Sequence, residues 1–496
     1  MKLLPYAGKE VSLEDLIVTE GKEPYSEIHE PSVETLKKLN GTLLRTQREL
    51  REISIDDKLK ALEYVGSLWE KKSYERRRKL EEFLPKTTGY HPNIIEFELS
   101  LFPEVLNEEF LKESLDNPMC FYGGRKCLDG FVKVGKNEYV AANPRGPVFI
   151  IGGGNSTIPP LIALLTSLYT NNYTLLRPSF ANHVGLYEVM KSFEDVIDDR
   201  NTEHSVRKVL RKLTNATLIA YMSHDSEAYA YLLRRSRVGA VNFWGGEPAL
   251  SRIKRMVAEN PYNPEFIING PLTGVAIIDG NYMKKVGCQD LSRKLALDMV
   301  LYNQQMCNSP TEAYYLGSFE EGKRFGKELA KAVEEYERNF PIEVSETEAF
   351  KTQLVRRSLR RSGSKVYAPE TGEAKWTIVV SEYRSRIDEI VNSNFSFSIH
   401  ERPLFLEVIT LDYIDDALEK IEKLPERACY AGVEKVQTVG YAMDKERVRE
   451  LARELAMMGI YRVVPIGQMY YRTAFEPSDG EFLPRKFIFF SYFRAE

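Results

Sequence analysis

The feature that most constrains the fold is a series of short apolar runs that alternates with longer amphipathic stretches from about residue 130 onward. Runs rich in Val, Ile, Leu and Phe are typical of buried strands, and the stretches between them have the length and periodicity of helices. The strand runs lie at residues 147–151, 173–177, 216–221, 240–244 and 274–279. Strands that alternate with helices in this way predict an α/β fold with a mainly parallel sheet that is covered on both faces.

Two glycine-rich turns follow strands of this series, at the sheet edge where α/β proteins bind nucleotides. The first is GGGNST at residues 152–157. It lacks the third glycine of the G-x-G-x-x-G fingerprint, because Thr157 stands at that position. The second is WGGEP at residues 244–248. Each turn alone fits a tight structural turn as well as a close approach of phosphates to the backbone, but two at corresponding strand ends favour a cofactor site.

A single cysteine, Cys307, lies where a helical pattern gives way to a turn. The pattern opens at Asp290, which suits the N-cap position, carries Tyr302 on its apolar face, and cannot continue past Pro310. A turn after a regular element is a common place for a nucleophile. A free thiol is more often a buried structural side chain, so the local sequence leaves both interpretations open.

The composition excludes several classes of protein. Hydrophobic residues make up 43% of the chain and the formal net charge is −4, so we predict neither disorder nor a basic field for nucleic acid. The five cysteines and six histidines are scattered, which predicts no metal site, no disulfide framework and a reducing, cytoplasmic location. The most apolar window, residues 148–169, is interrupted by glycines and prolines, so we predict no membrane span.

Six segments, in this order along the chain, match motifs of one enzyme superfamily. They are IIGGGN at 150–155, LLRPS at 175–179, NFWGG at 242–246, NQQMC at 303–307, GIYRVVPIG at 459–467 and SDG at 478–480. The chain from about residue 130 therefore resembles the aldehyde dehydrogenase superfamily. The last two segments resemble its long-chain acyl-CoA and fatty acid reductase branch, the LuxC family. Residues before about 125 contribute little to this resemblance.

The resemblance implies a Rossmann-like cofactor domain, an α/β catalytic domain and a C-terminal oligomerisation strand. We assign an N-terminal helical region and the cofactor domain to residues 1–275, and the catalytic domain with its nucleophilic cysteine to 276–435. Residues 436–496 would return to the cofactor domain and end in an oligomerising tail. The tail at 486–493 is too apolar to stay exposed, so we expect it to pair with another sheet, in a second subunit.

The resemblance also implies roles for individual residues. Cys307 would take the acyl group from a thioester, and the side-chain amide of Asn155 would form the oxyanion hole with the backbone N–H of Cys307. Gly245 and Gly246 would line the pyrophosphate, and Arg177 would lie near the adenosine ribose. The full set of implied cofactor-binding residues is Gly153, Gly154, Arg177, Ser179, Gly245 and Gly246. No metal ligand is implied.

Two departures from the superfamily pattern refine the expected reaction. The Glu-Leu-Gly-Gly motif, whose glutamate activates water in hydrolytic members, aligns with IING at residues 267–270. An isoleucine cannot act as a general base, which favours a reductase over an acid-forming dehydrogenase, although a register slip could bring in Glu265. Phe180 stands where NAD-preferring members often carry an acid, and with Arg177 beside it we expect NADPH to be preferred.

Several assignments stay open. A thiol at the C-terminal end of a helix would have its thiolate disfavoured by the helix dipole, so the activation of Cys307 is not explained. Glu401 and Glu407 are both candidates for holding the nicotinamide ribose. The basic stretch at residues 356–365 fits a solvated helix face better than a site for coenzyme A phosphates.

The predicted function is NADPH-dependent reduction of a fatty acyl thioester to the aldehyde through an acyl group on Cys307. The acyl donor would be acyl-CoA or an acyl-protein, and the expected partners are an acyl-protein synthetase and further copies of the chain. One alternative is an NAD(P)-dependent aldehyde dehydrogenase that forms an acid or an acyl-CoA. Another is a non-catalytic subunit of an acyl-activating complex, because one fold hosts many activities.

Overall fold

The apolar runs of the alternating region form strands of two separate sheets, each in its own unit of the chain. One unit comprises Met1–Asn269 with Thr473–Glu496, and the other comprises Gly270–Arg472. The computed structural model describes residues 1–119, 123–391 and 395–495, so Cys120 lies outside the described residues. Within those residues, no helix combines the length and the apolar character needed to cross a membrane.

The first unit begins with short strands and a helical region and continues into alternating strands and helices. Up to residue 269 its elements are β1 (Lys2–Leu3), β2 (Tyr6–Ala7), β3 (Leu16–Glu20), β4 (Glu27–Pro31), α1 (Val33–Arg51), α2 (Ile55–Trp69), α3 (Glu75–Thr88), α4 (Pro92–Ser100), α5 (Phe102–Val105), α6 (Glu108–Met119), β5 (Val132–Gly135), β6 (Glu138–Pro144), β7 (Val148–Ile151), α7 (Ile158–Tyr169), β8 (Thr174–Arg177), α8 (His183–Asp198), α9 (His204–Asn215), β9 (Thr217–Ile219), α10 (Glu227–Arg234), β10 (Ala240–Trp244), α11 (Ala249–Ala258) and β11 (Glu265–Asn269).

A six-stranded sheet forms the centre of this unit, with the strand order β11-β10-β7-β8-β9-β2. The five strands from β11 to β9 pair in parallel, and β2 closes the edge in the antiparallel direction. Every residue of β7, β8 and β9 is buried. This burial on both faces explains why these strands have continuous apolar sequences rather than alternating ones.

The second unit is also an alternating α/β unit. Its elements are β12 (Leu272–Asp279), α12 (Gly280–Val286), α13 (Cys288–Val300), β13 (Pro310–Leu316), α14 (Phe319–Asn339), α15 (Glu346–Arg361), β14 (Lys365–Tyr367), β15 (Trp376–Glu382), α16 (Ile387–Ile390), β16 (Leu404–Leu411), α17 (Ile414–Glu422), β17 (Lys435–Ala442), α18 (Lys445–Met457) and β18 (Arg462–Pro465). They form a seven-stranded sheet with the order β14-β15-β16-β13-β12-β17-β18. Only the pairing of β14 with β15 is antiparallel among the described strands of this sheet.

Successive residues of these strands point into two different hydrophobic clusters. Val275 and Ile277 of β12 belong to one cluster, together with Val439 of β17. Ala276 and Ile278 of the same strand belong to the other cluster. Because successive side chains of a strand point to opposite faces, apolar side chains of β12 lie on both faces of the sheet. Both faces are packed against hydrophobic clusters.

The unit boundary differs from the one that the sequence suggested. We placed the return to the first unit at residue 436, but β17 and β18 pair in parallel beside β12 and extend the second sheet. The chain passes back to the first unit only after Arg472. At the other boundary, β12 lies wholly in the second unit, so the first unit ends at Asn269 rather than at residue 275.

The C-terminal run forms a strand with its own chain. After α19 (Leu483–Lys486), β19 (Ile488–Arg494) pairs antiparallel with β6 in a three-stranded sheet of order β19-β6-β5. Three aromatic side chains on β19 remain 46–59% exposed, namely Phe489, Tyr492 and Phe493. The run therefore pairs with a sheet of its own chain and not, as we expected, with one in a second subunit. The outer edge of β19 remains unpaired by the described strands of this sheet.

The helical region contains a buried lysine. Lys58 on α2 is 1% exposed, and its Nζ donates to the side-chain oxygen of Asn171 after α7. Burial lowers the pKa of Lys58 to about 7, against the opposite influence of Asp129 and Asp57. An unfolded chain keeps the ordinary lysine pKa of 10.5, so between pH 7 and 10.5 it binds more protons than the folded chain. The contribution of Lys58 to stability therefore becomes less unfavourable as the pH rises through this window.

We expect Lys58→Met to raise the Tm at pH 7 and to leave it unchanged or lower it at about pH 10, where the cost of the buried ammonium has almost disappeared. The substitution removes a buried ammonium that costs up to about 5 kcal/mol, and it leaves the Asn171 oxygen without a donor at about 1–3 kcal/mol. The measurement is the Tm difference from the unsubstituted protein at both pH values. Lys60→Met, on the same helix and paired with Glu203 at 3.2 Å, is the exposed control. A Tm difference that is constant with pH would contradict the assignment.

Candidate active site

The two glycine turns and the end of β8 lie at one edge of the six-stranded sheet. They follow β7, β8 and β10, which are parallel neighbours in the order β10-β7-β8. A Cβ on Gly153 would lie 3.4 Å from the carbonyl oxygen of Trp244, and one on Gly154 would lie 3.9 Å from Oγ of Ser179. The structure thus brings together the cofactor-binding residues predicted from three separate segments.

Side chains from other elements hold the first turn. Glu98, buried on α4, accepts a hydrogen bond from the backbone N–H of Thr157 at 2.6 Å. The amide of Asn182 donates to the carbonyl oxygen of Gly153 at 3.2 Å. Asn155 lies exposed between these two anchors. The N-terminal helical region, for which the sequence offered no role, therefore supplies a residue that shapes this turn.

A chain of amide hydrogen bonds holds the second turn. Nε1 of Trp244 donates to Oδ1 of Asn242 at 2.7 Å, and Nδ2 of Asn242 donates to Oδ1 of Asn269 at 2.8 Å. Nδ2 of Asn269 donates in turn to the carboxylate of Asp479 at 3.0 Å. Asp479 belongs to the SDG motif of the returning segment, so this motif fixes the ends of β10 and β11 beside the glycine turn.

The register of β11 places Glu265 at the opposite end of the strand from the glycine turns. Glu265 is the first residue of β11 and Asn269 is the last, so Glu265 lies about 13 Å from the glycine-turn edge at 3.3 Å per residue. There it contacts Lys486 at 3.4 Å and Arg145 at 3.7 Å. Ile267 is 4% exposed. The motif that carries the glutamate of hydrolytic enzymes therefore offers only an apolar side chain here.

Arg177 is packed between two aromatic rings rather than extended into solvent. It is 5% exposed, and its Nε donates to the carbonyl oxygen of Met222 at 2.9 Å. Its guanidinium lies 5.2 Å from the ring centroid of Tyr221 and 5.6 Å from that of Tyr229. These cation–π contacts fix a positive charge at the end of β8.

A second arginine, Arg252, acts on the same His224 and Tyr229 side chains as Arg177. Nη2 of Arg252, on α11, donates to the carbonyl oxygen of His224 at 2.9 Å and pairs with Asp225 at 2.8 Å. Burial lowers the pKa of His224, and the charges of Arg177 and Arg252 lower it further. Phe180, at the position of the acid in NAD-preferring enzymes, instead packs edge-on against Tyr25.

In the second unit, the helix before Cys307 differs from the predicted one at both ends. It begins at Cys288 with Gly287 at the N-cap. Asp290 lies in its first turn and pairs with Lys294 at 2.7 Å, so it is not the cap. The helix ends at Val300, seven positions before Cys307. A dipole effect confined to the last turn therefore does not apply to this thiol.

Left-handed backbone separates α13 from the cysteine. Tyr302, Asn303 and Gln304 have φ values of 53°, 53° and 61°, so Tyr302 leaves the helical face on which we placed it. The side chain of Gln304 anchors this turn: its Nε2 donates to the carbonyl oxygens of Pro310 and Phe405, at 2.6 and 3.0 Å. The turn that presents Cys307 is thus tied to the starts of β13 and β16.

Cys307 is partly exposed and receives a hydrogen bond on its sulfur. Nε2 of Gln437, a fully buried residue of β17, lies 3.2 Å from Sγ of Cys307. Among the described residues, the three other cysteines have a pKa raised chiefly by burial: Cys127, Cys288 and Cys429. Their environments disfavour a thiolate, which supports the choice of Cys307. Gln437 lies 130 positions away in the chain, and no local motif marked it.

The structure distinguishes the two glutamates that the sequence left as alternatives. Glu407 on β16 is 1% exposed and accepts hydrogen bonds from Ser381, Ser385 and the backbone N–H of Arg386, at 2.6, 2.6 and 2.8 Å. Burial, with the nearby charge of Glu312, raises its pKa. Glu407 is closed to solvent as well as bonded inside the fold, so it is the poorer candidate for a cofactor hydroxyl.

Glu401 lies in a partly exposed loop before β16. The hydroxyl of Ser396, the backbone N–H of Ser398 and Nζ of Lys351 all donate to its carboxylate, and they lower its pKa to about 2. Glu401 is therefore ionised at neutral pH and accessible, and it is the better candidate for a ribose hydroxyl.

The basic stretch contains one structural arginine. Arg356 is 1% exposed and donates to the carbonyl oxygens of Trp376 and Glu373 at 2.7 and 2.8 Å. Arg357, Arg360 and Arg361 are exposed on α15. The stretch is thus largely a solvated helix face, as we preferred from the sequence.

The predicted catalytic pair is divided between the units. Asn155 belongs to the first unit and Cys307 to the second. Each lies in a turn that named side chains hold in place. The cofactor-binding candidates of the glycine turns and of β8 share the unit of Asn155, and Glu401 shares the unit of Cys307.

Sequence comparison relates this chain to one family. A model of the acyl-CoA reductase (LuxC) family matches residues 50–489. The long-chain acyl-protein thioester reductase 2 of Photobacterium leiognathi is 25% identical over 297 residues, 58% of this chain and 57% of the relative. The long-chain acyl-protein thioester reductase of Aliivibrio fischeri is 24% identical over 337 residues, 68% of this chain and 63% of the relative. The matched region is thus less than two thirds of the length of each relative.

Solved structures confirm the predicted aldehyde dehydrogenase-like α/β fold. Aldehyde dehydrogenase 21 from Physcomitrella patens aligns with a TM-score of 0.70 at 11% identity, over 100% of this chain and 98% of that one. A benzaldehyde dehydrogenase from Corynebacterium glutamicum aligns with a TM-score of 0.66 at 13% identity, over 99% and 97%. An NADP complex of glyceraldehyde-3-phosphate dehydrogenase from Methanocaldococcus jannaschii aligns with a TM-score of 0.65 at 12% identity, over 97% and 98%.

Proposed function

Because the chain belongs to the LuxC family of acyl-CoA reductases, we propose that it reduces a fatty acyl thioester to the aldehyde with NADPH. The acyl group would be carried by Cys307 during the reaction. The observation that carries this proposal is the buried Ile267 at the position of the glutamate base of hydrolytic enzymes. Without that base an acyl-enzyme is not readily hydrolysed, and it remains available for reduction.

The proposed bond changes start at the sulfur. The thiolate of Cys307 attacks the acyl carbonyl, a new C–S bond forms, and the bond to the carrier sulfur breaks, so the carrier leaves as a thiolate that takes up a proton. The amide of Asn155 and the backbone N–H of Cys307 would stabilise the charge on the carbonyl oxygen. A bound nicotinamide cofactor supplies the hydride for the acyl carbon. The resulting thiohemiacetal on Cys307 loses its C–S bond and its hydroxyl proton, which releases the aldehyde and re-forms the thiolate.

The residues at the edge of the six-stranded sheet fit a dinucleotide. Backbone without side chains at Gly153 and Gly245 allows a phosphate to approach closely, and a Cβ on Gly153 would meet Trp244 at 3.4 Å. We assign the pyrophosphate to the turns that contain these glycines, the adenosine ribose to Arg177 and Ser179, and the nicotinamide ribose to Glu401.

NADPH is the proposed cofactor because of the charges near Arg177. The charges of Arg177 and Arg252 both act on His224 and Tyr229. Phe180 replaces the acid that would hold a free ribose 2′-hydroxyl and repel a 2′-phosphate. The carboxylate of Asp225 is already paired with Arg252 at 2.8 Å. If the 2′-phosphate of the cofactor took the place of the Asp225 carboxylate, the guanidinium of Arg252 would remain in an ion pair.

We expect Arg252→Gln to weaken NADPH binding about tenfold and to leave NADH binding nearly unchanged, since a hydrogen bond to a charged group contributes about 1.5–3 kcal/mol. Fluorescence titration with both cofactors measures the two Kd values. Arg255→Gln is the matched control, because Arg255 is exposed one turn later on α11 and its Nε donates to the carbonyl oxygen of Ser251. Equal losses for the two cofactors in Arg252→Gln would contradict the 2′-phosphate assignment.

The proposed acyl donor is an acyl-protein or acyl-CoA. Two of the relatives are named as acyl-protein thioester reductases, which supports a protein-bound acyl group and an acyl-protein synthetase as a partner. The test follows NADPH absorbance with acyl-CoAs of several chain lengths and with an acyl-protein thioester. Oxidation that depends on the thioester supports the reductase. Acid formation from an aldehyde with NAD would instead support a dehydrogenase, and failure to bind either cofactor would support a non-catalytic subunit.

We also propose that the chain forms a homo-oligomer through the outer edge of β19. An edge strand with exposed aromatic side chains is a template for pairing with another chain. Light scattering measures the mass in solution, and a monomer of 57.0 kDa at micromolar concentration would contradict this assembly.

A further inference from the structure

A continuous set of hydrogen bonds links a buried arginine to the sulfur of Cys307. Nη1 of Arg462 lies 3.2 Å from Oγ1 of Thr438, and this hydroxyl oxygen lies 3.0 Å from Oε1 of Gln437. Nε2 of Gln437 lies 3.2 Å from Sγ of Cys307. Gln437 and Thr438 are 0% exposed, and Arg462 is 4% exposed. We call these three residues the sulfur relay.

The chemistry of Arg462 determines which partner donates in each hydrogen bond of the sulfur relay. A guanidinium has donors only, so the Thr438 oxygen must accept from Arg462. The hydroxyl hydrogen of Thr438 is then available for Oε1 of Gln437. This bond fixes the orientation of the amide, whose two ends are hard to distinguish by shape. The NH₂ group of Gln437 therefore faces Cys307, and every bond of the relay directs a donor toward the sulfur.

Neighbouring groups hold Arg462 in place. Its other contacts include the carbonyl oxygens of Met469 and Tyr471, at 2.9 and 2.7 Å. Asp298 of α13 accepts from the backbone N–H groups of Gly467 and Met469 in the same loop, at 2.5 and 3.1 Å. Burial raises the pKa of Asp298 to about 7, and the charge of Arg462 opposes this rise. The charge of Arg462 within the relay and the carboxyl of Asp298 beside its loop are thus two groups whose ionisation acts on the relay.

We propose that Gln437 is a catalytic residue that stabilises the thiolate of Cys307, and that Thr438 and Arg462 position its amide. This proposal adds a residue to the site of the proposed reductase. The role of Gln437 in catalysis rests on that proposed function. Hydrogen bonds in series polarise one another, so the buried guanidinium strengthens the donor at the sulfur. The sulfur is negative before it attacks the thioester, neutral in the acyl-enzyme, and negative again when the aldehyde leaves. The relay therefore stabilises the thiolate of Cys307 both before it attacks the thioester and when the aldehyde leaves.

The expected gain in rate is moderate. Stabilising a thiolate by one pH unit increases its population about tenfold below its titration midpoint and lowers its intrinsic reactivity about threefold. The net acceleration of acyl transfer is then about threefold per unit. The position of the titration midpoint is consequently a more sensitive readout than kcat.

The test is the pH profile of Cys307 alkylation by iodoacetamide, without acyl donor or cofactor. The signal of Cys307→Ala is subtracted to remove the other thiols. We expect Gln437→Met and Thr438→Val to raise the midpoint by about one pH unit or more, because each removes the donor to the charged sulfur or its orientation. Thr438→Ser keeps the hydroxyl and is expected to restore the original midpoint. Because Asp298 titrates in the same range, the midpoints are compared between variants rather than interpreted singly.

The outcomes separate this proposal from the proposed function. Unchanged midpoints in both Gln437→Met and Thr438→Val, with Tm values near that of the unsubstituted protein, would overturn the relay even if the enzyme reduces thioesters. Shifted midpoints in a protein that reduces no thioester would support the relay and overturn the reductase. If Gln437→Met does not fold, the comparison of Thr438→Val with Thr438→Ser decides alone. Thr438→Val replaces only the hydroxyl group, with a methyl group, and Thr438→Ser removes only the methyl group.

Discussion

Cys307→Ala is expected to abolish NADPH oxidation by acyl thioesters and to leave the Kd of NADPH unchanged. The proposed reaction has no route around the sulfur, since the acyl group must leave its carrier before the acyl carbon is reduced. Loss of a covalent nucleophile typically lowers kcat by about four orders of magnitude or more. Cofactor absorbance measures the first effect and fluorescence titration the second. The candidates for the pyrophosphate and the adenosine ribose belong to the other unit, which is why binding should survive.

A second cysteine provides the control for this experiment. Cys288, at the start of α13, is also partly exposed, and burial raises its pKa, so Cys288→Ala is expected to keep full activity. Mass spectrometry after mixing with acyl-CoA alone should detect one acyl group on the unsubstituted protein and none on Cys307→Ala. Turnover that persists in Cys307→Ala, or an acyl group found on another residue, would remove Cys307 from the mechanism.

Five strands, β7 to β10 and β12, could be predicted because burial leaves a direct mark on their sequences. The run at residues 147–151 contains β7 (Val148–Ile151), and the run at 240–244 coincides with β10 (Ala240–Trp244). Strands that are buried on both faces need apolar residues at every position, and flanking glycines delimit them. The fold class follows from the order of these runs, without any knowledge of the contacts between them.

Element ends and unit boundaries were less predictable because several solutions satisfy the same local pattern. An aspartate favours both the N-cap and the first turn of a helix, and Asp290 occupies the first turn, where it pairs with Lys294. A strand that follows a helix can add to either of two sheets. The sequence of β18 (Arg462–Pro465) does not specify which, but its pairing with β17 does.

The supports of the candidate site could not be predicted from the sequence at all. Glu98 reaches Thr157 across 59 positions, and Gln437 reaches Cys307 across 130. Glutamate and glutamine are common on ordinary surfaces, so nothing local distinguishes these two. Their role follows only from burial and from the partner that the fold brings to them. The resemblance to a family identified residues that would touch substrate or cofactor, but not the residues that orient them.

Asn155→Ala is expected to lower kcat by about two to three orders of magnitude, which is the usual cost of removing one oxyanion donor. The KM for the thioester should change little, because the donor acts on charge that develops only in the transition state. The substitution should not disturb the turn, since Glu98 and Asn182 hold it through the N–H of Thr157 and the carbonyl of Gly153. Steady-state kinetics with a saturating acyl-CoA measures kcat, and single-turnover acylation shows whether the first step is the one affected.

Two further variants separate a direct effect of the Asn155 amide from an effect on the turn. Asn155→Asp keeps the shape but replaces the donor with a carboxylate, whose charge opposes the developing oxyanion, so it should be at least as slow as Asn155→Ala. Asn182→Ala removes an amide that donates to Gly153 at 3.2 Å, and it should weaken cofactor binding more than it lowers kcat. If Asn182→Ala lowered kcat as much as Asn155→Ala, the turn geometry would explain both. If Asn155→Ala stayed within about threefold of the unsubstituted protein, the loss would be far below that of an oxyanion donor, and the charge would have to be stabilised by other groups.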